Sequence, residues 1–283
     1  MYICGQEELK SKIRTLSDSG SFPKFSIICG EYGHGKKVMS EYISHKLGAK
    51  LAPCGSDIAS VRATIAESYT VADTTVYMFF DCDEMSVGAK NALLKITEEP
   101  PTNAYFIMTV CDISTMLPTL LSRGSLFYLD PYSVSDIEDF IKEREIGFND
   151  KEKKIVRYVC TCPNDVIVAS KQNILNVYDL SDKFIQFIGA SNLANELKIV
   201  QQLNLKKDAD ESLIDPIVFL RCVMMCSNEY MIADCSREDA EIFAKIIKHT
   251  AKAAAEIVRK GSIKQIVLDN YIINLHMDIA GGI

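Results

Sequence analysis

The sequence contains no apolar run approaching the roughly 18–20 residues that span a bilayer, so it offers no membrane-spanning segment. Its first residues, Met1-Tyr-Ile-Cys-Gly-Gln-Glu-Glu8, lack the basic and apolar stretches of a secretory signal. The chain is therefore expected in the cytoplasm. A basic excess is missing too: 31 Lys and Arg stand against 38 Asp and Glu, a net charge of −7. Proteins that grip duplex DNA unaided draw most of their affinity from phosphate neutralisation. This balance argues against strong DNA binding by the isolated chain and leaves open a local basic surface. Internal repeats and low-complexity stretches are absent. Zinc-site spacing is absent as well. The ten cysteines are scattered, and the close pairs Cys160/Cys162 and Cys222/Cys226 have neither a second pair nor a histidine nearby. They read as small buried hydrophobes in a reducing compartment, and no metal site is expected.

What is present is a core-forming composition. The chain has 283 residues, 48% hydrophobic and 24% charged, enough for two or three soluble globular modules. Short apolar strands alternate with helical patterns over the first ~130 residues, the signature of a parallel α/β sheet. Strands are predicted at Phe25–Cys29, Val76–Phe80, Tyr105–Val110 and Leu126–Leu129. A helix is predicted from Val87 to Glu99, with Ala92, Leu93 and Ile96 on one face, stopped by Pro100-Pro101. Asp130-Pro131 marks a boundary. Ser135-Asp-Ile-Glu-Asp139 resembles a helix start. Beyond about Leu180 the pattern is almost wholly helical, including an Ala-rich amphipathic helix from Arg237 to Arg259 ended by Gly261. The expected organisation is an α/β domain over 1–131, a small helical domain over 132–180 and a helical bundle over 181–283. Lys206-Lys207 and Arg259-Lys260 read as solvated helix ends.

Gly30-Glu-Tyr-Gly33-His-Gly35-Lys36-Lys37 follows a predicted strand and precedes a helix, the context in which a P-loop match carries meaning. Glycines let backbone N–H groups wrap phosphate oxygens, and Lys36 would reach the outer phosphates. The next position requires Ser or Thr, whose hydroxyl ligates Mg²⁺. It is occupied by Lys37, and an ammonium repels a cation. The bland alternative is a glycine-rich turn with no ligand. Metal-dependent ATP hydrolysis is not expected, whereas weak metal-free binding of ATP, ADP or phosphate stays open.

Asp81-Cys-Asp83-Glu84-Met85-Ser86, then Asn91-Ala-Leu-Leu-Lys-Ile-Thr-Glu-Glu-Pro-Pro101, resembles the clamp-loader branch of AAA+ proteins. So does Leu117-Pro118-Thr119-Leu-Leu-Ser122-Arg123-Gly124, which is similar to that branch's Leu-Pro-Thr-Ile-Arg-Ser-Arg-Cys segment. The resemblance covers the first ~130 residues well, the next ~50 faintly, and the bundle only in helical character. It implies an AAA+ module followed by a helical lid and an oligomerising collar. It also implies a degenerate Walker B: aligned through Asn91, the metal-holding aspartate falls on Phe80 and the water-activating glutamate on Asp81. Shifted by one residue, Asp81 takes the metal position and Cys82 the base. One acidic role is missing in both registers, and phosphoryl transfer needs both. Thr109 sits where relatives carry a polar sensor. In the best counterpart of a second sensor, Thr161-Cys162-Pro163-Asn164-Asp165, a carboxylate replaces the arginine. Asp83 and Glu84 read as a solvated strand end.

Ser122-Arg123 is the candidate catalytic contribution. In this branch the arginine completes a neighbouring subunit's ATP site in trans, a role suited to a planar, permanently charged fork; here Gly124 replaces the usual cysteine. Loss of the home site with retention of the finger is the pattern of delta-prime subunits of bacterial DNA polymerase III. Many of these carry a four-cysteine zinc module after the P-loop helix, whereas this chain has only Cys54 there and little room between Leu47 and Val76. The implied partners are other clamp-loader subunits, and through the assembly a sliding clamp and primer–template DNA. The competing readings are an active ATPase of the small replication-factor-C type, against which Lys37 counts, and an AAA+-derived phage or plasmid interaction module, in which Arg123 would be dispensable.

Overall fold

The computed structural model describes residues 2–189, 193–203, 214–233, 235–258 and 262–280. The chain divides into two compact units, Met1–Tyr132 and Ser133–Ile283.

The first unit runs α1 (Glu7–Asp18), β1 (Phe25–Cys29), α2 (Lys36–Lys46), β2 (Lys50–Cys54), α3 (Ile58–Ser68), β3 (Thr75–Phe79), α4 (Val87–Ala92), α5 (Leu94–Glu98), β4 (Ala104–Val110), α6 (Pro118–Leu121) and β5 (Ser125–Tyr128). The five strands form one sheet in the order β2-β3-β4-β1-β5, and every pairing is parallel. Both faces are covered, which is why the strands read as unbroken apolar runs. Alternate residues enter opposite cores: Ile27, Tyr77, Phe79, Phe106 and Met108 one side, Ile28, Val76, Ile107 and Phe127 the other. The loop after β1 lies where the chain leaves for β2 on one side while β4 crosses to β5 on the other. In open α/β sheets that switch point is where ligand crevices form.

The predicted strands are present, Phe25–Cys29 with the same bounds and the other three within one residue at their ends. The stretch between Leu47 and Val76 corrects the expectation of little room, because it holds β2 and α3. β2 escaped notice because Pro53 interrupts it and because, as an edge strand, it is only partly buried. The helix expected over 87–99 is two helices, broken at Leu93, whose N–H donates to Lys90 O at 3.2 Å in a tightened turn.

The second unit is helical: α7 (Val134–Glu143), α8 (Asp150–Val159), α9 (Pro163–Lys171), α10 (Ile174–Gly189), α11 (Leu193–Val200), α12 (Pro216–Ile232), α13 (Arg237–Val258) and α14 (Lys264–Ala280). α7 starts at Val134, one residue before the expected Ser135, on a capping box in which the N-cap Ser133 and Asp136 bond each other's backbone. α12 carries Phe219, Leu220, Cys222 and Val223 fully out of water and is the bundle's core helix. The expected divide at 180/181 falls inside α10. Lys206-Lys207, Arg259-Lys260 and Gly261 lie outside the described residues.

Candidate functional site

Gly30 leaves β1 with its N–H bonded to Val110 O at 3.1 Å, and the loop returns at Gly35, the N-cap of α2. Gly33 and Gly35 have φ of 81° and 82°, the left-handed backbone that glycine adopts without steric cost. The glycine pattern therefore produces the expected loop between strand and helix.

Its two lysines are already engaged. Lys36 is buried, and its ammonium donates to Gly30 O at 2.7 Å, to Glu31 O at 3.0 Å and to Cys111 Sγ at 3.1 Å. All three donors of the ammonium are thus directed at acceptors within the chain. Lys37 is exposed, and its Nζ lies 5.8 Å from the centroid of the Phe80 ring, within cation–π range. The residue in the metal-ligand position and the residue in one Walker B position thus contact each other. A hard divalent cation takes oxygen ligands, and this pair presents an ammonium and an aromatic ring. These residues do not fit a magnesium–triphosphate. Among the described residues, no group of three or more His, Cys, Asp or Glu side chains is arranged to hold a metal ion.

The adjacent strand ends are braced by polar contacts. Asp81 adopts a left-handed backbone, φ 46° and ψ 48°, and its N–H donates to the hydroxyl of buried Thr109 at 3.0 Å. Thr109 thus ties β4 to the end of β3. Asp83 corrects the reading of a solvated strand end. Its carboxylate accepts from Cys111 N at 2.8 Å, Asp112 N at 2.8 Å and Thr115 Oγ1 at 3.3 Å, closing the turn after β4. Glu84 is exposed. Cys82 is fully buried and burial pushes its thiol up, so it stays a neutral thiol at neutral pH. Burial also raises the Cys29 thiol, against the lowering effect of the Lys36 ammonium. Cys111 is exposed rather than buried, an exception to the reading of the cysteines as core residues.

Gln6 and Tyr132 were not found by motif. Gln6, buried at the N-cap of α1, makes a two-way bond with Asp130: Nε2 donates to its carbonyl at 2.7 Å and Oε1 accepts from its N–H at 2.9 Å. Tyr132 donates its hydroxyl to His34 O at 2.9 Å. A Cβ added at Gly35 would meet that hydroxyl at 3.3 Å. Both contacts join residues about 100 or more positions apart, which no local pattern announces.

Arg123 follows α6 and is exposed, as is Ser122, the C-cap of α6, whose hydroxyl donates to Thr119 O at 3.1 Å. The Arg123 guanidinium donates from Nη1 to Thr119 O at 2.9 Å and from Nη2 to Glu98 Oε1 at 2.8 Å. In the second unit Asp165 does not stand alone as a misplaced acid. It accepts from Thr161 N at 2.8 Å and pairs with Arg221, whose Nη1 also reaches Val159 O at 3.0 Å.

Residues 55–133 match the family model described as DNA polymerase III, delta subunit. The subunit gamma of DNA polymerase III from Buchnera aphidicola subsp. Schizaphis graminum is 24% identical over 210 residues, 62% of this chain and 56% of that protein. The subunit delta′ from Buchnera aphidicola subsp. Baizongia pistaciae is 26% identical over 162 residues, 56% of this chain and 47% of that protein. The chain spans about half the length of these curated relatives. Among solved structures, a DNA polymerase III gamma subunit-related protein of Thermotoga maritima superposes with a TM-score of 0.52 at 14% identity, covering 94% of this chain and 99% of that one. The RuvB Holliday junction branch migration motor of Thermotoga maritima superposes with a TM-score of 0.51 at 14% identity, covering 96% and 88%. The structural likenesses bear out the AAA+ fold. The family and sequence matches bear out the resemblance to clamp-loader subunits.

Proposed function

We propose that this chain, a relative of the DNA polymerase III clamp-loader subunits, is a non-hydrolysing member of such an assembly. It scaffolds the loader and presents Arg123 in trans to the ATP site of a neighbouring subunit. The observation that carries the reading is the contact between Lys37 and Phe80. Phosphoryl transfer needs a neutralising metal and a positioned water, and the two positions that would supply a hydroxyl and a carboxylate hold a cation and a ring instead. Lys36 adds support, since its ammonium is satisfied by the chain itself. ATP, ADP or phosphate binds weakly on this reading, because Lys36 has to give up those bonds first, and no resident cofactor is expected.

Arg123 suits the role in trans. It is exposed and permanently charged, and an arginine placed against a transferring phosphoryl group supplies ~10³–10⁵ in rate. Partners on this reading are the ATPase and clamp-opening subunits, with the sliding clamp and primer–template DNA reached through the assembly. An apolar stripe on α14 supports an oligomeric role: Ile263, just before the helix, and Ile266, Ile273 and Met277 within it are all exposed. No described helix is long and apolar enough to cross a membrane.

The purified chain is expected to turn over ATP no faster than buffer. Arg123→Ala is expected to leave folding intact and to cut the DNA-stimulated ATPase of a reconstituted loader. Steady Mg²⁺-dependent turnover by the chain alone, abolished by Lys36→Ala, would overturn the first half. Unchanged loader activity with Arg123→Ala would overturn the second.

A further inference from the structure

The Glu98–Arg123 contact has a local logic on each side. Glu98 is the last residue of α5, where the helix dipole disfavours an acid unless a cation sits beside it. Arg123 comes just after α6 and bonds Thr119 O, one of the carbonyls that a helix C-terminus leaves without an intrahelical partner. Both terminal nitrogens of the guanidinium are therefore occupied, one by a neutral carbonyl and the other by a carboxylate.

The two acceptors act differently. A carbonyl orients the fork without competing strongly for its charge. A carboxylate is the same kind of ligand as a phosphate, a delocalised oxyanion that takes the guanidinium through parallel N–H donors. The pair is also partly open to water, with side-chain exposures of 36% for Arg123 and 56% for Glu98. Ion pairs of this exposure are weak, so the pairing leaves the guanidinium open to exchange for an oxyanion of greater charge. The last residue of α5 and a residue just beyond α6, 25 positions apart, thus make a solvent-accessible ion pair.

We propose that Glu98 is the positioning residue of Arg123: its carboxylate holds the guanidinium in cis and withholds it until the triphosphate of a neighbouring subunit takes its place. The inference rests on reading Arg123 as a finger acting in trans. It assigns Glu98 a regulatory part in that function, separating an idle subunit, with its arginine paired at home, from an engaged one.

Glu98→Gln separates competition from orientation, since the amide keeps an acceptor oxygen and loses the charge. In the full-length free chain, phenylglyoxal labelling of Arg123, read by peptide mass spectrometry with Arg144 as internal reference, is expected to rise about two- to fivefold in both Glu98→Gln and Glu98→Ala, the factor an exposed ion pair is worth. In a reconstituted loader, Glu98→Gln is expected to raise kcat/KM for ATP by a similar factor. Equal labelling of Arg123 in wild type and both variants, or a fall in kcat/KM with Glu98→Gln, overturns the assignment. If labelling rises as expected but Arg123→Ala leaves loader activity unchanged, the finger reading has failed and the cis pairing still stands.

Discussion

Lys37 Nζ lies 5.8 Å from the centroid of the Phe80 ring, so the residue that follows Lys36 at the start of α2 faces the residue that follows β3. The ammonium at the start of α2 faces an aromatic ring at cation–π range rather than oxygen ligands.

A double-mutant cycle on Lys37→Ala and Phe80→Ala is expected to give a coupling of about 0.5–1 kcal/mol in chemical denaturation, the range for cation–π pairs at exposed sites. Lys37→Thr by itself restores a hydroxyl and no carboxylate, so no Mg²⁺-dependent ATP turnover is expected from it. Turnover in that single variant would show that the site lacked one residue only.

Lys36→Met keeps the aliphatic stem and removes the ammonium. Gly30 O and Glu31 O then lose their donor in a partly buried loop, and the expected destabilisation is about 1–3 kcal/mol. Urea denaturation of the intact chain checks it; a loss below about 0.5 kcal/mol, the lower end for a net hydrogen bond, would mean that these bonds add nothing.

Gly124 stands where the related segment carries cysteine. A Cβ there would come within 2.8 Å of Phe25 Cε1 and 3.0 Å of Ile27 Cδ1. Phe25 is buried in the sheet core, and overpacking of this kind costs about 1–3 kcal/mol. Gly124→Cys is therefore expected to lower the melting temperature, with partial recovery in Gly124→Cys/Phe25→Leu. The absence of any recovery would place the strain elsewhere.

Asp165→Ala leaves Arg221 without its carboxylate and Thr161 N without its acceptor. The two side chains are 21% and 16% exposed, so water relieves part of the penalty. The expected loss is about 1–3 kcal/mol, below the ~3–5 of a fully buried pair. Thermal melts of the variant test this, and an undiminished melting temperature would contradict it.

Glu196 in α11 is fully buried, with one carboxylate oxygen bonded to His276 Nε2 at 2.7 Å and the other without a partner. Burial raises its pKa above the usual carboxylate range, and the His276 contact offsets only part of that. A group whose folded pKa is raised contributes stability below its unfolded value and loses it as pH climbs through the folded value. The stability of Glu196→Gln relative to wild type is therefore expected to improve as pH rises from about 4 (the ordinary glutamate pKa) and to level off once pH passes the raised folded value, as read by melts across that window. A constant difference would remove the carboxylate's titration from the account.

The α/β unit was readable because its central strands are buried on both faces and its loop is punctuated by glycine. β2 was not, because Pro53 and partial burial erase the apolar run that marks the others. At the site, the Walker B positions at Phe80 and Asp81 are implied only by the family resemblance, whereas the glycine loop and Lys37 were visible as local spacing. What Lys36 touches was not, since Cys111 lies 75 residues away. The role of Asp83 is hidden for the same reason: nothing near it in sequence shows that it closes the turn after β4. Glu98 sits inside a recognised stretch, yet its partner Arg123 belongs to another.

The bonds that Lys36 makes with its own loop have a thermodynamic consequence. A protein that folds around a ligand carries a stability term that rises with ligand concentration. Here three acceptors from the same polypeptide take that place, and they are supplied at a fixed stoichiometry whatever the energy charge of the cell. A ligand that recruits Lys36 therefore stabilises this α/β unit only by the excess of its own contacts over the ones it displaces.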